Sequence, residues 1–352
     1  MTEYINLLKE IITTESYSRQ EHNVAEIIRA FISTKGLDYH THENNTWIRN
    51  KYFDNAKPTI LLNSHIDTVR AGTSWTIDPF EAKEIDGKLY GLGSNDAGGA
   101  LVSLLAAFLH FYEEKHLLFN LVYAATAEEE ISGAKGIESI LDKLPEISFA
   151  IVGEPTEMQM AIAEKGLVVI DGEAQGKSGH AARDEGVNAL YVALDDIKEL
   201  REFQFPKISE LLGAVKLSVT QIEAGVNHNV VPDICKFVID VRTNELYANQ
   251  DVVSVLQSLV RSKLTARSLR LNSSSIEIEH PAVQAGLSLG MGFYGSPTIS
   301  DQALMSFRSI KLGPGHSSRS HIADEYINIS EVYDAIDKYI SILSMLSSVS
   351  DK

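Results

Sequence analysis

Residues 59–69 read TILLNSHIDTV. The opening run is β-branched or apolar, as in a strand buried on both faces of a largely parallel sheet. It ends on His65 and Asp67. Residues two apart on an extended chain point to the same side. A buried strand that closes on an imidazole and a carboxylate raises the question of what its tip holds.

Helical periodicity precedes this strand in EYINLLKEII and in NVAEIIRAFISTKG, the latter ending at a glycine cap, and TWIRN reads as a short strand. Beyond it, GGALVSLLAAFLHFYEEKH reads as an apolar helix and LFNLVYAAT as a buried strand. GAKGIESILDKL reads as a helix and FAIVGE as a further buried strand. This alternation predicts an α/β layer around a mostly parallel sheet.

The texture changes near Lys165. GLVVIDGEAQG alternates like a half-exposed strand. A helix is predicted over 188–202, strands at AVKLSVTQIE and CKFVIDVR, a helix over 249–263 and a strand near RSLRLN. The order β-α-β-β-α-β is that of a ferredoxin-like unit. The helix and strand pattern resumes near His280. The expected organisation is a discontinuous large domain, 1–163 and 273–352, with a small α+β domain inserted at 164–272. The tail SSVSDK is expected to fray.

Composition narrows the function. The chain has 352 residues, 44% hydrophobic and 22% charged, with a formal charge of −17 and a pI near 5.1. A nucleic-acid binder needs a basic face, and so does a protein docked on an anionic membrane. Neither partner is expected. The single cysteine, Cys235, excludes an internal disulfide, and its place in ICKFVIDV predicts a small buried hydrophobe. The amphipathic start MTEYINLLKEIITTES lacks the basic, then apolar, pattern of a signal peptide. No apolar run approaches the ~18 residues of a membrane span. The expectation is a soluble cytoplasmic protein.

Four more stretches resemble the first. GLGSNDAGGA places Asp96 between a strand and a helix, and ATAEEEISG places Glu128, Glu129 and Glu130 after a strand. AIVGEPT places Glu154 after another, and GPGHSSRSHIADEY carries His316 and His321. Singly, each has an ordinary explanation: a strand-end acid is a turn residue or helix cap, a Glu run a solvated face, a lone histidine structural. Together, the first four of the five sites sit at predicted carboxyl ends of strands, where open α/β sheets bind ligands, and His321 lies in a loop late in the chain. Acids so grouped repel unless a cation neutralises them. Two histidines and three carboxylates suit zinc, with one acid bridging two ions.

HIDTV, GLGSNDAGGA, ATAEEE, VGEPT and HIADEY, in this order, resemble the five blocks of the co-catalytic zinc amidohydrolases and metallopeptidases. The resemblance extends over nearly the whole chain and implies two Zn2+ per subunit, with Co2+ able to substitute. It implies that His65 and Glu154 hold one ion, Glu130 and His321 the other, and that Asp96 bridges them. Asp67 would orient His65. The family pattern Asp-Glu-Glu is Glu128-Glu129-Glu130 here, so Glu129 falls at the general base.

In the small domain, SGHAAR carries His180, which the resemblance implies reaches across a homodimer to the partner's site. Asp184 stands there in place of a frequent proline. Asn229, Arg242 and Gly315 fall at substrate-side positions, and a guanidinium such as that of Arg242 suits a substrate carboxylate. His316 reads as a loop residue. The implied activity is hydrolysis of an N-acyl-L-amino acid, with N-acetyl-L-ornithine the expected substrate. N-succinyl-ornithine, succinyl-diaminopimelate, a carrier-linked lysine or a dipeptide are alternatives with the same site. A metal-free binding protein on the same fold is the alternative from a different class, and it predicts a missing ligand or base.

Overall fold

The structure is a computed structural model that describes residues 1–348. The tail expected to fray begins inside the helix Ile329–Ser348, and its remainder, from Val349, lies outside the described residues. The chain divides into two compact units. Of the described residues, one comprises 1–162, 275–294 and 300–348, the other 163–274 and 295–299.

The larger unit is built around the strand Thr59–His65, buried at every position. It pairs in parallel with Asn120–Thr126 on one side and Phe149–Val152 on the other. Arg308–Lys311 continues the parallel set beside Phe149–Val152, and on the opposite side Asn45–Arg49 pairs antiparallel with Asn120–Thr126, with His40–His42 beyond it. Central strands covered on both faces must be apolar throughout, which is why TILL and NLVYAAT show no alternation. The helix Gly99–Phe111 packs on Thr59–His65 and Asn120–Thr126 and against the helix Ile329–Ser348. Covered in this way, it is buried on nearly every side.

Two expectations fail here. The strand leading to Asp96, Lys88–Tyr90, is not part of the main sheet. It pairs with Lys83–Ile85 and Tyr326–Asn328 in a separate three-stranded sheet. The segment GAKGIESILDKL forms only a short 3₁₀ turn, Ile137–Ser139, rather than an α-helix. Its two glycines explain why. A Cβ on Gly133 would lie 2.0 Å from Glu128 Oε2, and one on Gly136 would lie 2.3 Å from the Ala127 carbonyl oxygen. The segment is folded tightly against the loop that carries Glu128–Glu130, and tertiary packing overrides its helical pattern.

The smaller unit is ferredoxin-like. Its antiparallel sheet runs Lys216–Ala224, Ile234–Thr243, Gly166–Gln175, Lys263–Ala266. The helices Ala189–Glu202 and Asn249–Leu259 cover one face, and Val168, Ile170, Phe237, Ile239, Val252 and Leu256 form the core. Cys235 is buried within it, and burial pushes its thiol pKa up. Gly172 lies under Phe237, where a Cβ would meet the ring at 2.3 Å. The last strand is Lys263–Ala266 rather than RSLRLN, and the preceding helix ends at Leu259. Among the described residues no helix is long and apolar enough to cross a membrane.

Candidate metal centre

His65 is the last residue of its strand and is buried. Its ring Nδ1–H donates to the backbone carbonyl of Asp67 at 2.8 Å. That bond fixes the tautomer and leaves the Nε2 lone pair facing Asp96 Oδ1 at 3.2 Å and Glu154 Oε1 at 3.8 Å. The orienting group is thus mainly the Asp67 carbonyl, with the carboxylate Oδ1 farther off at 3.5 Å. The chain turns immediately after the strand, so the carbonyl two residues on comes over the ring edge. The Asp67 carboxylate has other work: it accepts from Ser18 Oγ at 2.7 Å and from the backbone N–H groups of Glu129 and Glu130 at 3.0 and 3.2 Å.

Asp96 precedes the helix Gly99–Phe111, and its peptide bond to Ala97 is cis. Its two oxygens face opposite ways. Oδ1 faces His65, and Oδ2 lies 3.6 Å from His321 Nε2. His321 Nε2 also lies 2.9 Å and 3.1 Å from the two Glu130 oxygens. Ligand atoms of His65, Asp96 and Glu130 lie within 4.8 Å of one another, and so do those of His65, Glu129 and Glu154. The five expected ligands and Glu129 therefore form one cluster, with Glu129 as near to His65 and Glu154 as a ligand would be. Glu128 and His321 have left-handed backbone, φ +55° and +59°, a conformation that persists only where the surroundings impose it.

The electrostatics of the cluster are those of an anionic cage. Burial, then the charge of Glu154, raises the Glu129 carboxyl well above its ordinary range. Burial, then Asp96, lifts Glu154 to about 8. Glu130 is raised by burial, with Asp96 adding to it. His65 is pulled down by burial, yet its hydrogen bonds to Asp67 and Asp96 hold it well above normal, and the bond to Glu130 lifts His321 to about 9. Glu154 Oε1 is buried with no hydrogen-bond partner. The carboxylates of Asp96, Glu130 and Glu154, the last with its orphaned oxygen, and the imidazoles of His65 and His321 form an N/O donor set that fits divalent metal ions.

The other predicted residues lie elsewhere. In the smaller unit, His180 and Asn229 fall in one loop cluster: Gly179–His180 pairs with Val230–Val231, and Ala181 N–H donates to the Asn229 carbonyl. Both side chains are exposed. Arg242 is already engaged, donating from Nε and Nη2 to Asp240 at 2.8 and 3.1 Å. In the larger unit Gly315 is buried in the left-handed region, φ +83°, where a Cβ would lie 2.2 Å from Asn95 Oδ1. His316 is held in its loop by Ser318 and sits 3.3 Å from Glu157.

Sequence reasoning missed three buried carboxylates behind the cluster. Glu21 accepts from the N–H of Arg19 and of Glu128, and from Asn44 Nδ2. Asp301 accepts from Asn63 Nδ2 and Thr126 Oγ1. Glu325 accepts from the N–H groups of Asn95 and Asp96, and burial followed by the Asp96 charge lifts its carboxyl to about 8. Apart from the bond of Glu21 to Arg19, the partners lie at a long sequence separation, so no local pattern marks these acids.

Comparison with known proteins bears on this arrangement. The model of Peptidase family M20/M25/M40 matches residues 61–345. A succinyl-diaminopimelate desuccinylase of Orientia tsutsugamushi (strain Boryong) is 25% identical over 289 residues, 77% of this chain and 74% of that one. An M20 family metallo-carboxypeptidase of Sulfolobus solfataricus shares the fold at TM-score 0.76 and 17% identity, over 99% of this chain and 100% of the other. So does a dinuclear metal binding peptidase of the M20 family from Bacillus subtilis, at TM-score 0.74 and 16% identity, over 98% and 97%. The strand-end cluster, the two-unit fold and a match across most of the length agree: the chain belongs to Peptidase family M20/M25/M40 and is a metallo-hydrolase of that family.

Proposed function

We propose that this chain hydrolyses the amide bond of an N-acyl-L-amino acid at a two-zinc centre. The observation that carries the reading is the disposition of Asp96, one oxygen toward His65 and the other toward His321. His65, Glu154 and Asp96 would hold one ion, and Glu130, His321 and Asp96 the other. Bound zinc lowers the pKa of water to about 7 and polarises the acyl carbonyl, and Co2+ is an alternative occupant. Glu129 takes the proton of the attacking water and returns it to the departing amine. Its raised proton affinity suits that shuttle. The Asp67 carboxylate holds the amides of Glu129 and Glu130 and so keeps base and ligand in register.

The substrate reading is N-acetyl-L-ornithine, giving acetate and L-ornithine for arginine synthesis in the cytoplasm. Arg242 would leave Asp240 to take the substrate carboxylate, and Asn229 and Gly315 are the other substrate contacts of this reading. A second reading, succinyl-diaminopimelate, draws support from the desuccinylase relative. The smaller unit would form a homodimer and supply His180 to the partner's site, where it donates to the oxyanion. Exposed Tyr191 and Leu194 on the helix Ala189–Glu202, and Ile222 on the edge strand Lys216–Ala224, support that surface. The test is a panel of acetylornithine, succinylornithine, succinyl-diaminopimelate and simple dipeptides, run on chelated and zinc-reloaded protein. Preference for acetylornithine supports the first reading. Preference for succinyl-diaminopimelate supports the second, and full activity without metal rejects both.

A further inference from the structure

The loop that carries Asp96 and the loop that carries His321 are tied to each other twice, in opposite directions. Glu325, four residues after His321, sends its carboxylate back to the Asp96 loop. Its Oε1 accepts the N–H of Asn95 at 2.8 Å and of Asp96 itself at 2.9 Å. The Glu325 side chain is about 1% exposed, so water does not compete for these bonds. Its main chain adds a third link, the carbonyl accepting from Gly91 N–H at 3.0 Å. Asn95, one residue before Asp96, reaches the other way. Its Oδ1 accepts the His316 N–H at 3.1 Å, and its Nδ2 donates to the His316 carbonyl at 3.1 Å and to Ser320 Oγ at 3.2 Å. Gly315 leaves the room for that amide, since any side chain there would overlap Asn95 Oδ1.

We infer that Glu325 is a positioning residue for the metal centre, acting through the backbone of Asp96 and reciprocally with Asn95. Resting on the two-metal reading above, the inference names what sets the spacing of the bridging carboxylate from His321. Asp96 leaves regular structure just before its helix, and His321 sits in left-handed backbone in an exposed loop. Neither has a strand or helix of its own to fix it. A carboxylate that accepts two consecutive N–H groups sets the direction of the intervening peptide, and with it the Asp96 side chain. Partners behind metal ligands are typically worth about 10–100-fold in metal affinity.

Three variants of the full chain test this: Glu325→Gln, which keeps an acceptor oxygen; Glu325→Asp, which keeps the carboxyl group and loses reach; and Glu325→Ala. Zinc affinity is measured by competition with a chromophoric chelator, the Co2+ absorption spectrum reports coordination, and metal-free melting reports the fold. Wild type is expected to bind two equivalents. Glu325→Asp and Glu325→Ala are expected to bind metal about 10–100-fold more weakly, with an altered Co2+ spectrum in protein that is still folded, and Glu325→Gln to recover most of the affinity. Should Glu325→Ala not fold, the Asp and Gln pair carries the comparison alone. Unchanged affinity and spectrum in folded Glu325→Asp, even with a lower melting temperature, would reduce Glu325 to a fold residue and overturn the inference. A wild-type chain that binds no metal overturns the two-metal reading and this inference together, so the two failures are distinct.

Discussion

The two units use buried polar groups differently. Behind the strand ends of the larger unit, Glu21, Asp67, Asp301 and Glu325 are buried carboxylates that accept from backbone N–H groups or from side-chain hydroxyls and amides of neighbouring elements. The smaller unit has an apolar core, Val168 to Leu264, and keeps His180, Asn229 and Asp184 on exposed loops. Its buried carboxylates are Glu164 and Asp196, the latter accepting from the N–H groups of Ser262 and Arg261. Burying an anion is costly unless it is fully hydrogen-bonded or neutralised. The larger unit tolerates that cost where loops that carry the cluster are held by these bonds. The comparison predicts that substitutions near the strand ends of the larger unit act on metal and chemistry, whereas those in the smaller unit act on stability or on contacts made at a distance.

The largest effect should come from Glu129→Gln. Loss of a general acid–base group lowers turnover by roughly 10²–10⁴-fold. Zinc content should stay at two equivalents by elemental analysis. If Glu129→Gln loses metal while Glu130→Gln keeps it, the two adjacent glutamates exchange roles, an outcome the nearness of Glu129 to His65 and Glu154 makes worth testing.

Next is His180→Ala, which breaks the pattern of the smaller unit if that unit supplies chemistry. One oxyanion donor is worth about 2.7–4 kcal/mol, or 10²–10³-fold in turnover. Metal content and melting temperature should not change, because the His180 side chain is exposed and only its Nδ1 is used, accepting from Ala182 N–H. Mixing His180→Ala with Glu129→Gln chains should restore activity if sites are shared between protomers. A fully active monomer by size-exclusion chromatography would remove that assignment.

Leu62→Ala comes third. It empties space in the central buried strand and should cost about 2–5 kcal/mol of stability, read by denaturant titration. Because His65 lies three residues on in the same strand, metal affinity should weaken with it. An equal stability loss from a core change in the smaller unit, Ile239→Ala, should leave zinc affinity intact.

How far the sequence disclosed all this follows from the same division. The strand ends were legible because apolar runs that stop on His65, Glu130 or Glu154 are local signals, and so was the ferredoxin-like order, which alternation alone marks. The turn at Ile137–Ser139 was not, because Gly133 and Gly136 are dictated by Glu128 and Ala127 across the loop. Nor was the return of 295–299 to the smaller unit, where Gly295 lies so close to the Leu211 carbonyl that a Cβ would fall 2.4 Å from it. Glu325 lies within HIADEY, yet its work lies some 230 residues away on the amides of Asn95 and Asp96. Asp67 was assigned to His65 on pattern, while most of its carboxylate bonding goes to the glutamate loop.

The smallest expected effect sharpens the comparison most cleanly. Asn188 caps the helix Ala189–Glu202, its Oδ1 accepting from Leu190 N–H at 3.0 Å. This is the same kind of bond that Glu325 makes to Asn95 and Asp96, a side-chain oxygen holding a free backbone N–H at the start of a helical segment. Here the acceptor is neutral and partly solvated, and the helix presents no metal ligand. Asn188→Ala should therefore cost about 1 kcal/mol, typical of a lost N-cap. Melting should shift slightly downward, with zinc affinity and the Co2+ spectrum unchanged. Glu325→Asp should do the reverse, moving metal affinity more than melting. If Asn188→Ala altered the metal site as well, the division between capping for stability and capping for ligand placement would fail, and the two units would have to be treated as one cooperative structure.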